Sequence, residues 1–321
     1  MPKVTVLIPI YNASKYLRQA LDSTIHQTLS DLEIICLNDG STDDSAAILA
    51  EYQQRDKRII VIDKPNTGYG DTMNQGIQRA QGEYIGILEP DDYLDPSAFE
   101  KLCQLAHWHQ ADIVKANFYR LENDVVRKNA IIRPQDTGKI FCPCQDQAIF
   151  RLPPAIWSAI YRREFLLQNQ IDFLPTPGAS YQDLGFNIKA LALAKRVVLT
   201  DNAYLYYRVD NVNSSSNSSG KLTCAPQEYA SIEEFLRQHQ LMEKLGPAIM
   251  SAKFGNYLWN LQRLPVAAAR KFYQTMLSEF RSAKAAGLLR RSAFRPKYWL
   301  ILQAMLRFPR STENFLIKHK S

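Results

Sequence analysis

The sequence has no long apolar run and few cysteines. The first absence disfavours a membrane-spanning protein, and the second disfavours a disulfide-rich secreted protein. Five cysteines in 321 residues are a sparse and odd-numbered set, which is usual in a reducing compartment and unlike a disulfide framework. No stretch approaches the roughly 20 apolar residues of a membrane-spanning helix, and the first residues lack the layout of a signal peptide. We therefore expect a cytoplasmic protein, with any membrane contact peripheral and on the inner face.

Sequence motifs of nucleic-acid-binding modules are also missing. Cys142-Pro-Cys144 has no second pair at zinc-ligand spacing, and there is no RNP-like or basic-heptad pattern. The charge is nevertheless uneven. Residues 240–321 contain 15 Lys and Arg against 3 Glu, which gives them a net charge of +12. Because the whole chain has a net charge of +7, residues 1–239 have a net charge of −5. The basic C-terminal part predicts contact with an anionic surface or polymer, with nucleic acid the disfavoured choice.

The order of sequence patterns predicts two regions. Over residues 1–115, β-branched runs alternate with helical patterns, which is typical of a Rossmann-like α/β fold with a mostly parallel sheet and flanking helices. Residues 116–220 are less regular, and residues 221–321 have the pattern of helices with basic faces. We therefore predict a domain over residues 1–220, with halves that meet at about residue 115, followed by a C-terminal helical extension.

Polar, aromatic and acidic residues follow each of the first four predicted strands. Any one of these loops alone would be ordinary turn or helix-cap chemistry. Because the carboxyl ends of parallel strands share one edge of a sheet, where ligands bind in such folds, the four loops together predict a crevice. The four segments are Pro9-Ile10-Tyr11-Asn12, Asn38-Asp39-Gly40-Ser41, Asn66-Thr67-Gly68-Tyr69-Gly70 and Glu89-Pro90-Asp91-Asp92.

The residue types of this crevice suit a sugar nucleotide. Tyr11 offers an aromatic face to a flat base, and Asp39 offers it a fixed polar partner. Carboxylates repel a diphosphate, but they can hold Mg²⁺ or Mn²⁺, which then bridges the phosphates. Glu89, Asp91 and Asp92 are three carboxylates in four residues, and they repel one another unless a cation lies among them. The alternative is a solvated acidic turn that caps the next helix.

Three segments, in this order, resemble family 2 glycosyltransferases of the GT-A fold. The resemblance covers about residues 1–220 and implies an inverting transferase. Its donor would be a nucleotide-sugar, UDP being the usual nucleotide, and its acceptor a glycan or lipid-linked hydroxyl in surface polysaccharide or lipopolysaccharide synthesis. The segments are Val-Leu-Ile-Pro-Ile-Tyr-Asn at 6–12, Leu-Asn-Asp-Gly-Ser-Thr-Asp at 37–43 and Gly-Glu-Tyr-Ile-Gly-Ile-Leu-Glu-Pro-Asp-Asp at 82–92.

The resemblance also implies roles for particular residues on the donor side. Asp91 would be the direct ligand of a divalent metal, with Glu89 and Asp92 as further candidates. Two positions depart from the family pattern, because Glu89 replaces the first Asp of Asp-x-Asp and Asn38 replaces the first Asp of Asp-Asp-Gly-Ser. The implied donor contacts are Pro9, Ile10, Tyr11, Asn12, Asp39, Gly40, Ser41, Gly70, Asn74, Glu89, Pro90, Asp91 and Arg208.

On the acceptor side, the resemblance implies that Asp183 is the general base. An inverting transfer needs a base that removes the proton of the acceptor hydroxyl, and Tyr181 and Gln182 would lie beside it at the acceptor. Asp183 could instead cap the helix that follows. Trp157 could stack on an acceptor sugar or pack in the core. Arg208 could offer positive charge to the leaving diphosphate or form a surface salt bridge.

Several alternatives stay open at this point. The basic, aromatic-rich helices beyond Ala225 fit an anionic membrane interface or a helical cap on the catalytic domain. A nucleotidyltransferase would need a Gly- and Arg-bearing loop after the first strand, where residues 11–14 have neither. A nicotinamide-binding motif is incomplete, because Met73 stands where a third Gly is needed. A non-catalytic sugar-nucleotide scaffold could dispense with Asp91 and Asp183, yet both are present.

Overall fold

The protein divides into two compact units. The structure is a computed structural model that describes residues 1–179, 181–211 and 224–318. The first unit, here the sheet unit, takes residues 1–145 and 153–214, and the second, here the helical unit, takes residues 146–152 and 215–321. The predicted boundary at residue 220 lies outside the described residues and stays a prediction.

The sheet unit is built on one mixed sheet of ten strands within the described ranges. Its first two strands are buried along their whole length because the sheet is covered on both faces. The strands are β1 Val4–Ile10, β2 Leu32–Asp39, β3 Ile59–Lys64, β4 Tyr84–Ile87, β5 Tyr93–Leu94, β6 Ile113–Glu122, β7 Val125–Asn129, β8 Ile140–Phe141, β9 Ala159–Arg162 and β10 Val197–Arg208.

The strand order is β3-β2-β1-β4-β9-β6-β10-β5, with β7 beside β6 and β8 beside β10. The pairs β1–β2, β1–β4 and β2–β3 are parallel, as are β6 and β10, whereas β9 runs antiparallel between β4 and β6. The predicted α/β fold with a central sheet and flanking helices is confirmed. The parallel pairing predicted for the sheet holds for β1 to β4, whereas the outer pairs β5–β10, β6–β7 and β8–β10 are antiparallel. The carboxyl ends of β1 to β4 therefore meet at one edge, where the four polar loops begin.

Helices cover both faces of this sheet. The buried face with Val6, Ile8 and Ile34 packs against α1, α2 and α4, whereas the opposite face, with Leu7 and Leu37, contacts α3 at Gly76. The helices of the sheet unit are α1 Ser14–Ile25, α2 Ser45–Arg55, α3 Tyr69–Arg79, α4 Ala98–His109, α5 Arg163–Gln168 and α6 Gln182–Leu193.

The helical unit confirms the predicted C-terminal helices. Its core is aromatic, and it includes the buried Lys253, which pairs with Glu233 at 2.6 Å and Glu279 at 2.9 Å. Across the described ranges, no helix combines the length and apolar character that a membrane crossing requires. The helices are α7 Ala225–Gln238, α8 Met242–Arg263, α9 Val266–Ala285, α10 Pro296–Arg307 and α11 Pro309–Lys318.

Candidate active site

Asp39 ends β2, and three groups of the protein hold its carboxylate. Its Oδ1 accepts a hydrogen bond from the backbone N–H of Thr67 at 2.9 Å, and its Oδ2 accepts one from Gly68 N–H at 3.0 Å. Lys64, which is the register partner of Asp39 on β3, also forms an ion pair with Oδ1. The carboxylate is therefore buried and held in one orientation.

The loops after β1 and β2 are joined through Asn12. Its backbone N–H donates to Ser41 Oγ at 3.1 Å, and its Oδ1 accepts from Thr42 N–H at 2.8 Å. Asn12 has a left-handed φ of 52°, a conformation that asparagine tolerates better than most residues. Tyr11, beside it, is 55% exposed, so its ring is available at the rim of the crevice.

Three other predicted donor contacts, Pro9, Ile10 and Gly40, lie in the backbone beside Tyr11 and Asp39. Pro9 and Ile10 are buried within β1, directly before Tyr11, and their contact with a donor stays a prediction. Gly40 has a φ of +73°, and a Cβ there would lie 2.9 Å from the backbone nitrogen of Asn66. The turn after β2 therefore requires glycine.

Gly70 and Asn74 hold a distant segment of the chain. A Cβ on Gly70 would lie 2.2 Å from the carbonyl oxygen of Leu174. The Asn74 amide donates to Phe173 O at 2.9 Å and accepts from Phe173 N–H at 2.8 Å. These two predicted donor contacts thus seat residues 173–174 against α3. The Asn74 side chain is occupied by this task, and its contact with a donor stays a prediction.

Glu89 follows β4 and faces Tyr69, whose hydroxyl donates to Glu89 Oε1 at 2.7 Å. The pKa of Glu89 is raised to about 8, chiefly by burial; the hydrogen bond from Tyr69 opposes the rise, and the charges of Asp91 and Asp183 add to it. Burial likewise raises the pKa of Tyr69, and Glu89 and Asp183 add to the rise. In this state Glu89 is largely protonated at neutral pH.

Asp91 and Asp92 turn to different partners. Asp91 Oδ2 accepts a hydrogen bond from the Asn211 side chain at 2.8 Å. Asp92 is 1% exposed, and its Oδ1 accepts from the backbone N–H of Arg208 at 2.8 Å. Its Oδ2 has no hydrogen-bond partner within the described ranges, and burial raises the pKa of Asp92 well above its usual range.

These partners bear on the predicted metal site. In the part of the chain that the structure describes, no three His, Cys, Asp or Glu side chains form a cluster that could hold a metal ion. Asp91 is partly exposed, whereas Asp92 is buried beneath the end of β10. Asp92 is therefore better suited to anchor β10 than to ligate a metal. A single protein carboxylate combined with ligand phosphates and water is a common arrangement for Mg²⁺.

Arg208 brings positive charge to the acidic loop. Its Nε donates to the backbone oxygen of Asp91 at 3.1 Å, and its Nη2 donates to Gln19 Oε1 at 2.8 Å. The guanidinium lies 4.4 Å from the ring centroid of Tyr16. Among the described residues it forms no ion pair, so the alternative of a surface salt bridge is not observed. Arg208 is 9% exposed and fixed beside Asp91.

Asp183 lies in the first turn of α6, and its Oδ1 accepts a hydrogen bond from Leu184 N–H at 2.8 Å. Burial raises the pKa of Asp183, and the Leu184 N–H and the charge of Lys115 lower it. Tyr181, just before the helix, has a left-handed φ of 60°, which is rare for a bulky residue. Gln182 is buried and donates to Thr176 Oγ1 at 2.9 Å, so its contact with an acceptor stays a prediction.

Comparison with known proteins assigns this arrangement to a family. The family model for glycosyl transferase family 2 matches residues 5–181, which is more than half of the chain. The chain belongs to glycosyl transferase family 2. It is 32% identical over 248 residues to EpsJ of Bacillus subtilis, an uncharacterized glycosyltransferase, and the match covers 75% of this chain and 68% of EpsJ.

Two solved structures share the fold of this family 2 chain. TarS 1–349 of S. aureus, in complex with UDP-GlcNAc, has a TM-score of 0.60 at 19% identity, and the match covers 95% of this chain and 91% of TarS 1–349. The mannosyltransferase PcManGT of Pyrobaculum calidifontis, in complex with GDP-Man and Mn²⁺, has a TM-score of 0.55 at 16% identity, with 100% and 88% covered. The predicted GT-A fold is confirmed.

Trp157 belongs to an aromatic cluster in this family 2 fold. Its ring stacks on Tyr207 with centroids 4.8 Å apart and meets Phe118 edge-on at 4.6 Å. The ring packs against the buried core and is itself partly exposed. Core packing, one of the two predicted roles, is thus observed, and stacking on an acceptor sugar stays a prediction.

Sequence reasoning missed three residues near Asp183. Tyr69, Tyr161 and Lys115 all interact electrostatically with its carboxylate. Tyr69 stood in a loop already identified, but it was given no role. Lys115 was detectable, because it is the lysine in the predicted strand over 112–116, whose central residues are otherwise apolar.

Proposed function

We propose that this family 2 glycosyltransferase moves a sugar from a nucleoside-diphosphate donor, a UDP-sugar, to an acceptor hydroxyl with inversion. One observation carries the proposal: Asp39, at the end of β2, and Asp91, after β4, lie at the same edge of the sheet. Asp183, in the first turn of α6, interacts electrostatically with Glu89, which is in the same acidic loop as Asp91. In the proposed arrangement a nucleobase lies at Asp39, a diphosphate with its metal at Asp91, and the acceptor hydroxyl at Asp183, which would take its proton.

The donor side supports a nucleotide ligand. The fixed Asp39 carboxylate and the exposed Tyr11 ring can recognise a flat base by hydrogen bonding and stacking. The structural neighbours named above contain UDP-GlcNAc and GDP-Man, which supports a nucleoside diphosphate. We infer UDP because it is the commoner nucleotide in the family.

A divalent metal, Mn²⁺ or Mg²⁺, belongs to this proposal. When bound, the ion would neutralise charge on the diphosphate and stabilise its departure. Asp91 is the residue that would hold it, because its carboxylate is partly exposed, while Glu89 faces Tyr69 and Asp92 is buried. The Mn²⁺ in the PcManGT complex supports a divalent metal.

The residues of the chain divide the chemistry between them. The acceptor oxygen forms a bond to the anomeric carbon as the bond from that carbon to the diphosphate breaks. The hydroxyl proton passes to the carboxylate of Asp183, and the electron pair leaves with the diphosphate. Arg208, fixed beside Asp91, stabilises the negative charge that develops there.

The helical unit supports an acceptor at an anionic membrane surface. Trp259, Leu300 and Phe308 are exposed, and the guanidinium of Arg263 lies 4.2 Å from the Trp259 ring centroid. Basic and aromatic side chains on helices are typical of interfacial binding. We therefore infer a glycan or lipid-linked acceptor of surface polysaccharide or lipopolysaccharide synthesis at the cytoplasmic leaflet.

A panel of sugar nucleotides tests the donor assignment. The ligand that binds should raise the melting temperature, since binding to the folded form adds stability by mass action, and Mn²⁺ should enlarge that rise.

Transfer by the wild type and by Asp183→Asn is then measured with that donor. We expect the variant to lose about 10²- to 10⁴-fold in turnover with its donor affinity retained. Binding without any turnover in the wild type would favour a scaffold.

Flotation with liposomes tests the membrane assignment. The wild type should float with vesicles that contain anionic lipid and stay behind with neutral ones. The variant Leu300→Ser/Phe308→Ser should float less, and Val125→Ser, at an exposed apolar position on the sheet unit, is the control. Failure of the wild type to float with anionic vesicles would remove the membrane from the proposal.

A further inference from the structure

Lys115 is a buried lysine in the middle of β6. It is 1% exposed, and its ammonium group donates one hydrogen bond within the described ranges, to Ala155 O at 2.6 Å. An ammonium has three donors, and burial of its charge with so few partners is costly. A buried lysine with so few hydrogen bonds either loses its proton or keeps its charge through a nearby anion.

The strand register places Lys115 on the face of the sheet that α6 covers. Ile113 pairs with Tyr161 across β6 and β9, and Lys115 pairs with Ala159. Since side chains alternate along a strand, Ile113, Lys115 and their direct partners share one face. The ring of Tyr161 meets Phe186 of α6 edge-on at 5.1 Å. Lys115 therefore lies on the side of the sheet where Asp183 begins α6.

Asp183 supplies the negative charge that Lys115 needs. Burial lowers the pKa of Lys115 to about 7, and the carboxylate of Asp183 opposes this fall. The effect is mutual, because the ammonium lowers the pKa of Asp183. The other titratable groups that face Asp183 are Tyr69 on α3, Glu89 after β4 and Tyr161 on β9. None of these three is a cation.

We propose that Lys115 is a positioning residue for the base, whose ammonium keeps the Asp183 carboxylate ionised in a buried setting. This inference rests on the proposed role of Asp183 as proton acceptor. During transfer the proton of the acceptor hydroxyl moves to Asp183, and Lys115 keeps its own protons. Its hydrogen bond to Ala155 O also fixes the turn that carries Trp157, where Ser158 Oγ donates to the same oxygen at 3.0 Å.

The acidic limb of the kcat–pH profile tests this role, because it reports ionisation of the base in the enzyme–substrate complex. Lys115→Met and Lys115→Gln remove the charge, and the glutamine keeps a donor for Ala155 O. Both should move the acidic limb to higher pH, by up to about one unit, because an opposite charge that favours the ionised form of Asp183 has been removed. Lys115→Arg keeps the charge and should leave the limb near its wild-type position.

Lys189→Met is the matched control. Lys189 is also buried and lies on α6, but its ammonium pairs with Asp172 at 3.0 Å, so its loss should leave the acidic limb unchanged. An unshifted limb in Lys115→Gln would overturn the proposal, and so would an equal shift in Lys189→Met. If Lys115→Met does not fold, the glutamine variant decides. Full turnover in Asp183→Asn would instead remove the base itself.

Discussion

The carboxyl groups at the two ends of the proposed crevice differ in how well the protein stabilises their ionised form. Asp39 accepts two backbone hydrogen bonds and pairs with Lys64, so its charge is balanced within the protein. At the other end Asp92 has a buried oxygen without a hydrogen-bond partner among the described residues, and Glu89 has a pKa of about 8. The Asp39 end of the proposed site, here the nucleotide end, is complete without ligand, whereas burial at the acidic end disfavours ionisation of Glu89 and Asp92.

This contrast suggests how binding and reaction are divided. A carboxylate that is held rigidly can select a ligand without reorganising, which favours recognition. Carboxyl groups with raised pKa values ionise more readily when a cation binds beside them, because an opposite charge favours the ionised form. We therefore expect the donor to enter by its base and to complete the acidic end with its metal.

Loss of Lys64 should have the largest effect on stability. Lys64→Met leaves the Asp39 carboxylate buried without its cation, and breaking a buried pair in this way costs about 3–5 kcal/mol. Urea unfolding measures the change. Lys3→Met is the control, because the Lys3–Glu83 pair is largely exposed and such pairs contribute under about 1 kcal/mol. Equal costs in the two variants would contradict a balanced charge at Asp39.

Gly70→Ala should have the next largest effect. The new Cβ would lie 2.2 Å from Leu174 O, so the segment seated on α3 must shift, at a cost of about 1–3 kcal/mol. Because that segment leads toward Asp183, kcat should fall as well. Thermal unfolding and transfer assays measure both. Gln78→Ala, at an exposed position of the same helix, should stay within about 0.5 kcal/mol of the wild type.

Glu89→Gln should have the smallest effect at acidic pH, and its stabilising effect should grow as pH rises. The folded-state pKa of Glu89 is about 8 against an ordinary 4.5, so ionisation of this group destabilises the folded state as pH rises between these values. The glutamine variant should match the wild type near pH 4.5 and become steadily more stable than the wild type as pH rises to 8, by up to about 1.4 kcal/mol for each unit of pKa shift. Unfolding in EDTA measures this difference, and a variant less stable at high pH would contradict it.

The fold and one edge of the site could be predicted from local sequence. Alternating strands and helices imply a parallel sheet, and parallel strands bring their carboxyl ends together. That rule alone predicted that Asp39 and Asp91 share an edge. It needed no knowledge of distant contacts, because each loop directly follows its own strand.

The remaining features depend on pairings far apart in the chain. Asn74 meets Phe173 across 99 residues, and no local pattern indicates that its amide is used there. Asp92 is buried because β10 ends above it. The proposed role of Lys115 depends on α6, which covers the same face of the sheet and begins about 70 residues later in the chain. Residues 146–152 belong to the helical unit, which their position in the sequence does not suggest.

Titration calorimetry of the donor, with and without Mn²⁺, tests the central claim most directly. In the wild type we expect donor binding that strengthens with the ion, because the acidic end is completed by a cation. In Asp91→Asn the gain from Mn²⁺ should vanish, while the weaker binding without metal persists through the nucleotide end. Donor binding that gains equally from Mn²⁺ in the wild type and in Asp91→Asn would contradict the claim.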